Sequence, residues 1–330
     1  MTTRHYPLWM QVAPGAAGDA LPAAAADQLR EDLAAHLGTP VTYAEPPRRL
    51  DTSFGPYAVG CRLDATSGLP LGWDASLVLR AEGAAAEAAV LGAAADLPCQ
   101  VPELLATDLS VSDDLGGRVL VATWPEGTDF VEVVGRDPDR SRDLFQRLAR
   151  TQAELHGVDA SVMTPGVPTV DLTAELGALG PGFDAEAAWL RANAPTPAGD
   201  AVLCHGGYTP LVASLGVDDD VTPFTVRDWS AAVLAEPEYD LGWSLLSFWI
   251  APFFAQTRSE RRGMIMIRDG LANLFRTGYE DVRTVDADRL RFWQAFHAAR
   301  GAARAAADPG SLPDDVGPNL RKRFTKLTRR

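Results

Sequence analysis

The stretch that most limits what this chain can fold into runs from Ala201 to Trp249. "VLC" reads as a short buried strand and "HGGYTP" as a tight loop. "LVASLGVDDDVTPFTVRDW" reads as strand, acidic turn and strand, ending on Asp228. "EPEYDLGWSLLSFW" is a turn followed by an apolar helix. A strand–turn–strand that delivers one aspartate to a loop mouth suits a hard cation such as Mg²⁺, which prefers carboxylate oxygen. Such a loop works only if a frame on either side holds it, so the rest of the chain has to supply two bodies flanking it.

The flanking pattern does so, with strands first and helices second. Residues 22–38 read as a helix stopped by Gly38, 41–64 as two strands around the turn-rich "DTSFGP", and 75–82 as a short strand. A helix over 83–97 and strands within 98–109 and 117–124 follow. Residues 136–159 then carry a helical period, with Leu144, Leu148 and Leu155 on one side, and 286–307 form a last amphipathic helix. This order predicts an α+β, two-lobed chain. Its expected parts are an N-terminal extension and helix over 1–40, a β-rich lobe over 41–123, a helical lobe over 124–315 and a basic tail over 316–330.

Composition narrows the partners. The net charge of −14 disfavours a general nucleic-acid binder, because phosphate repels it. The exception is the end, "RKRFTKLTRR", with six basic residues and no acidic one, expected to be a frayed, solvated tail or else a contact for an acidic partner or phosphate. No apolar run is long enough to span a bilayer and the first residues lack a leader pattern, so no membrane segment and a cytoplasmic location are expected. Cys61, Cys99 and Cys204 stand singly, which excludes a disulfide framework or zinc motif. Lysine occurs only at 322 and 326, while arginine and alanine abound, the mark of a high-GC coding sequence. Any phosphate contact in the body must therefore come from arginine, backbone N–H groups or metal.

At residue level the 201–249 block resembles the aminoglycoside phosphotransferase family, the kinase-like group that includes choline and homoserine kinases. Its members read HGDxxxxN, a hairpin, DW or DF, then a run like GDPxYDLA. His205-Gly206, Pro210, Asp228-Trp229 and Glu236 to Leu241 match. Upstream, "LVLRAEG" resembles the strand that carries a basic residue for nucleotide phosphates, here Arg80, and Glu87 falls where its partner carboxylate belongs. "RVLVATWPEG" resembles the hinge, placing Val121 to Trp124 near an adenine, and "DTSFGP", with Ser53, takes the place of the nucleotide-covering loop. "RLARTQAELHGVD" resembles the helix reading LAxLHxxD, with His156 matching. The resemblance implies a protein-kinase-like fold, ATP or another nucleotide with Mg²⁺ at Asp228, and a small-molecule acceptor in the helical lobe.

The departures lie in the catalytic loop at 205–212. Gly207 stands at the general-base aspartate and Val212 at the metal-binding asparagine. Glycine accepts no proton and valine offers no lone pair. A positioned base alone is worth about 10²–10⁴-fold. The expectation is thus a pseudoenzyme or severely weakened kinase that binds a small molecule, a nucleotide or a protein partner. The alternative is an active small-molecule O-phosphotransferase with an unusual or substrate-assisted base. His205 is expected to hold the loop rather than do chemistry, and Asp240 to anchor the loop or helix start. Trp229, Trp243, Phe248 and Trp249 are expected in the core. Arg80 and Glu87 could pair with or without a ligand.

Overall fold

The structure, a computed structural model, describes residues 20–329 apart from 51–57, 65–67, 82, 126, 164–165, 197–198, 200, 217–223, 256 and 310–311. Ser53 and the acidic turn at Asp218, Asp219 and Asp220 lie outside the described residues.

Helix α1 (Ala23–Leu37) buries Leu29 and Leu33, one turn apart, against a five-stranded antiparallel sheet. The strands are β1 (Tyr43–Leu50), β2 (Ala58–Leu63), β3 (Ser76–Arg80), β4 (Leu104–Ser110) and β5 (Arg118–Thr123), in the order β1-β2-β3-β5-β4, and α2 (Ala84–Gly92) leaves after β3. Alternation along each strand decides what faces the second lobe. Leu77 and Leu79 of β3, with Val119 and Val121 of β5, pack into the core under α1. Leu120 and Ala122 turn the other way, into the core shared with α2 and the helical lobe, and Arg80 meets Glu87 of α2 on that same side.

The helical lobe opens with β6 (Thr128–Asp129), α3 (Phe130–Arg136) and α4 (Ser141–Leu155). The helical period expected over 136–159 is broken near Pro138, which starts a short 3-10 turn, and resumes in α4, where Leu144, Leu148 and Leu155 are fully buried. Helices α5 (Leu172–Gly177) and α6 (Asp184–Asn193) follow, then four short strands, β7 (Val202–Cys204), β8 (Ala213–Leu215), β9 (Thr225–Val226) and β10 (Val233–Ala235). Strand β7 pairs with β10, while the hairpin β8–β9 pairs with β6. The loops after β7 and after β9 therefore meet above these two small sheets.

Helices α7 (Pro237–Ile250), α8 (Arg258–Glu280), α9 (Ala287–Ala307) and α10 (Val316–Thr328) complete the lobe. The basic end is not a frayed tail. It is α10, and Val316, Leu320 and Phe324, spaced four residues apart, bury one stripe of it in the core that contains α9. Its lysines and arginines occupy the rest of the helix surface. No helix among the described residues is long and apolar enough to cross a membrane.

Candidate active site

Two glycines let the site's loops close on each other. Gly206 sits at φ 78°, and a Cβ there would overlap the carbonyl oxygen of Ala231. Gly83, at φ 71°, begins α2, and a Cβ there would overlap the carbonyl oxygen of Ser230. The 205–212 loop, the 228–231 loop and the start of α2 are thus in backbone contact.

Asp240, on the first turn of α7, holds the first loop. Its wholly buried carboxylate accepts the N–H groups of His205 (3.1 Å) and Gly206 (2.9 Å), the Gln152 amide (3.0 Å) and His156 Nε2 (3.3 Å). Burial alone would raise its pKa, but His156, His205 and Gln152 outweigh that and hold it below the usual carboxylate range. His156 is fixed in turn by the Tyr279 hydroxyl at 2.7 Å. His205 is wired at both nitrogens. The Gly207 N–H donates to Nδ1 (3.2 Å), which leaves Nε2–H to donate to the carbonyl of Arg227 (2.8 Å). That geometry makes His205 a strut between the two loops.

The second loop presents Asp228 in the left-handed region, at φ 62°, the only non-glycine with positive φ among the described residues. Its Oδ1 accepts from Arg80 Nη1 (3.2 Å) and from the Ser230 hydroxyl (2.8 Å). Arg80 Nε lies 2.7 Å from Glu87, with both side chains under 5% exposed while Asp228 is 27% exposed. Burial penalises the Arg80 cation, but Asp228 and Glu87 outweigh that and raise its pKa. The Trp229 N–H also donates to Glu87. Arg80, Glu87 and Asp228 are therefore brought together as one ionic chain linking the lobes.

Arg227 was not singled out from the sequence, yet it is the most distinctive side chain of the cleft. It is buried and donates to Asp129 (2.7 Å) and to the Leu211 carbonyl (3.1 Å), and its guanidinium lies 4.5 Å from the centre of the Trp124 ring. Burial pulls its pKa down, against the Asp129 carboxylate beside it. Trp124, expected near an adenine, does line the cleft, but an arginine covers it. Val121, expected there too, is fully buried on the opposite face of β5, in the core under α1. Strand alternation separates it from the cleft.

These groups border one cavity of about 650 Å³, which runs from Arg80, Trp124 and Asp228 past Gly207 and Val212 to Trp243, Phe254 and Leu271 in the helical lobe. The volume suits a drug-sized molecule. Trp229 is wholly buried in the core, whereas Trp243 and Phe248 serve core and cavity wall together. A Cβ at Gly207 would touch nothing closer than the His205 ring at 3.7 Å, so the vacancy of a side chain there is chemical, not steric. Val212 packs against the core and lines the cavity. Asp228 offers one carboxylate, already shared with Arg80 and Ser230, and among the described residues no three acidic, histidine or cysteine side chains are placed to hold a metal ion. This donor set does not fit a magnesium ion held by two side chains.

The sequence profile of the phosphotransferase enzyme family matches residues 74–280, which contain Arg80, Glu87, the 205–212 loop, Asp228 and Asp240. The chain belongs to that family. Among solved structures it is similar to the macrolide 2'-phosphotransferase MphH from Brachybacterium faecium, with TM-score 0.52 and 18% identity over 92% of this chain and 99% of that one. It is also similar to the D198A form of a thermostable mutant of aminoglycoside phosphotransferase APH(4)-Ia in ternary complex with ADP and hygromycin B, with TM-score 0.58 and 16% identity over 92% and 98% of the chains. A third is wild-type aminoglycoside 2'-phosphotransferase-IIIa in complex with GDP, with TM-score 0.56 and 14% identity over 92% and 98%. At these identities the likeness establishes the kinase-like α+β fold. No curated protein sequence is a significant match.

Proposed function

We propose that this member of the phosphotransferase family binds a small molecule in the inter-lobe cavity and that its phosphoryl transfer is lost or severely weakened. One observation carries the reading: the loop frame is fully wired through Asp240 and His205, while the two cavity-facing positions, Gly207 and Val212, carry neither base nor metal ligand. Phosphoryl transfer depends on positioning and on electrostatic stabilisation of the transferred group. Positioning is retained here and the proton acceptor is not. Arg227 adds to the reading, because its guanidinium lies over the ring of Trp124, at the hinge position where the family resemblance puts an adenine.

The retained chain Arg80–Glu87–Asp228 favours the second reading, an active small-molecule O-phosphotransferase with a substrate-assisted base. Nucleotide complexes of the fold neighbours support nucleotide use at the same cleft. Titration of ATP and GTP, with and without Mg²⁺, into the wild type and Asp228→Ala separates the two, followed by a turnover screen of hydroxyl acceptors. No transfer by the wild type, and its appearance in Gly207→Asp/Val212→Asn, is the expected result. Robust transfer by the wild type would overturn the first reading.

A further inference from the structure

The polar groups in the cavity wall are turned to the protein itself. Every charged side chain among the described residues of the wall is already engaged. Arg80 pairs with Glu87 and Asp228, and Arg227 with Asp129. Arg268 reaches Asp269 at 3.5 Å, and Arg300 reaches Glu175 at 3.8 Å and donates to the Tyr239 hydroxyl at 2.9 Å. Arg304 and Glu260 have partners within the chain as well. The hydroxyls follow the same pattern. Ser141 donates to the Pro138 carbonyl (2.5 Å), Ser230 to Asp228 (2.8 Å) and Ser247 to the Ser244 carbonyl (2.6 Å), while Thr209 accepts from the Leu211 N–H (3.3 Å). His205 is held at both ring nitrogens. A charged ligand would have to break one of these pairs or lie buried without a counterion, and both are costly.

What the wall offers a ligand is hydrocarbon. Phe145 of α4, Trp243 and Ile250 of α7, Phe254 just beyond it, and Met264 and Leu271 of α8 surround the helical-lobe half. The 205–212 loop continues this surface. Val212 brings an apolar side chain to the cavity and Gly207 brings none, so the two positions add no polar atom beyond the backbone.

We propose that the helical-lobe half of the cavity takes an uncharged small molecule with an extended hydrocarbon body. This rests on the reading of the cavity as a ligand site. The affinity comes from burying that body between α4, α7 and α8. Each methylene so buried tightens binding about fourfold. A polycation such as an aminoglycoside would need free carboxylates in the wall, and Asp228 and Glu260 are both engaged.

The test is calorimetric titration of octanol, decanol, decanoate, decylammonium and hygromycin B, each below its solubility or micelle limit. Decanol is expected to bind at least tenfold tighter than decanoate and decylammonium, and about 16-fold tighter than octanol. Met264→Asp, which puts a carboxylate in the wall, should lose at least tenfold for decanol. Met266→Asp, two positions along α8 at an 83% exposed side chain outside the wall, should keep the wild-type affinity. Should Met264→Asp melt lower than the wild type, Met264→Ser is read instead, for a loss of at least threefold. A charged decyl probe within tenfold of decanol, or less than a fourfold gain from octanol to decanol, overturns the assignment. So does a Met264 variant without effect, or an equal loss in Met266→Asp. Tighter binding of hygromycin B than of decanol overturns it as well but leaves the ligand-site reading standing. No binding by any of the five overturns it too, and the ligand-site reading is then decided separately by the nucleotide titrations.

Discussion

Replacing Asp240 with alanine should unfasten the catalytic-type loop, and the cost can be worked from its partners. Four donors converge on this buried carboxylate. One of them has another partner, since the Gln152 amide also reaches Ser244, whereas His156 meets Tyr279 through its other ring nitrogen. The N–H groups of His205 and Gly206 and Nε2 of His156 would be left buried and unpaired, at about 1–3 kcal/mol each. Asp240→Ala should therefore cost about 3–9 kcal/mol, a large part of the roughly 5–15 kcal/mol that holds a domain folded. Asp240→Asn keeps one oxygen. Turned toward His205, Gln152 and His156, that oxygen serves three donors and leaves the new amide facing Gly206 N–H, so about a third of the loss is expected. The assay is urea unfolding at constant slope, with hydrogen exchange at the Gly206 amide as the local reporter. An Asp240→Ala loss below about 1 kcal/mol would refute the argument. The pH dependence has a fixed sign. A folded pKa held below the unfolded value of about 3.9 means the stabilisation is present above that pH and is lost as pH falls through the folded value.

Gly206→Ala should destabilise by several kcal/mol, on the order of the larger single-site effects, because backbone rather than a flexible side chain blocks the Cβ; unfolding midpoints check it. His297 is wholly buried and its pKa is lowered to about 3, chiefly by burial, so folding disfavours its protonation. Stability should then fall by up to about 1.4 kcal/mol per pH unit from this group as pH drops from 6.5 toward 3, and the unfolding free energy of His297→Phe should lack that slope. Arg227→Ala should uncover Trp124 and raise ADP affinity at least threefold in calorimetry; an unchanged or weaker affinity would show that the arginine does not compete for that face. Arg80→Ala leaves Glu87 buried without its cation and should cost about 3–5 kcal/mol, measured by thermal unfolding.

The fold was legible because its signals are local. The strand-to-helix order, the DW position and the EPEYDL run all lie within short windows, and His205, Asp228 and Asp240 come together through them. What escaped depends on distant partners. Arg227 reads as a strand residue until Asp129, 98 positions away, is seen opposite it. Val121 shares a strand with Ala122, and only the packing of α1 decides which of the two faces away from the cleft. The charge of the chain's end suggests a solvated tail, whereas the four-residue spacing of Val316, Leu320 and Phe324 marks an apolar stripe. The chain total of −14 likewise says nothing of the arginines that line the cavity, which come from the end of β3, from the residue after β9 and from α8 and α9.

The contact of Gly83 with Ser230 bears on how fast a ligand can come and go. Swinging α2 and the sheet away from the 228–231 loop would part the buried Arg80 from Asp228 and take Glu87 away from the Trp229 backbone. Opening of the lobes on that side is therefore costly, and such collective motions run on microseconds to milliseconds. The opposite margin is different. There Ile267 is 56% exposed and lines the cavity beside Met264, and both are single side chains on one turn of α8. Exposed rotamers exchange in picoseconds to nanoseconds. Exchange of an apolar ligand past this margin then follows side-chain motion, so its off-rate reports affinity alone and carries no signature of lobe closure.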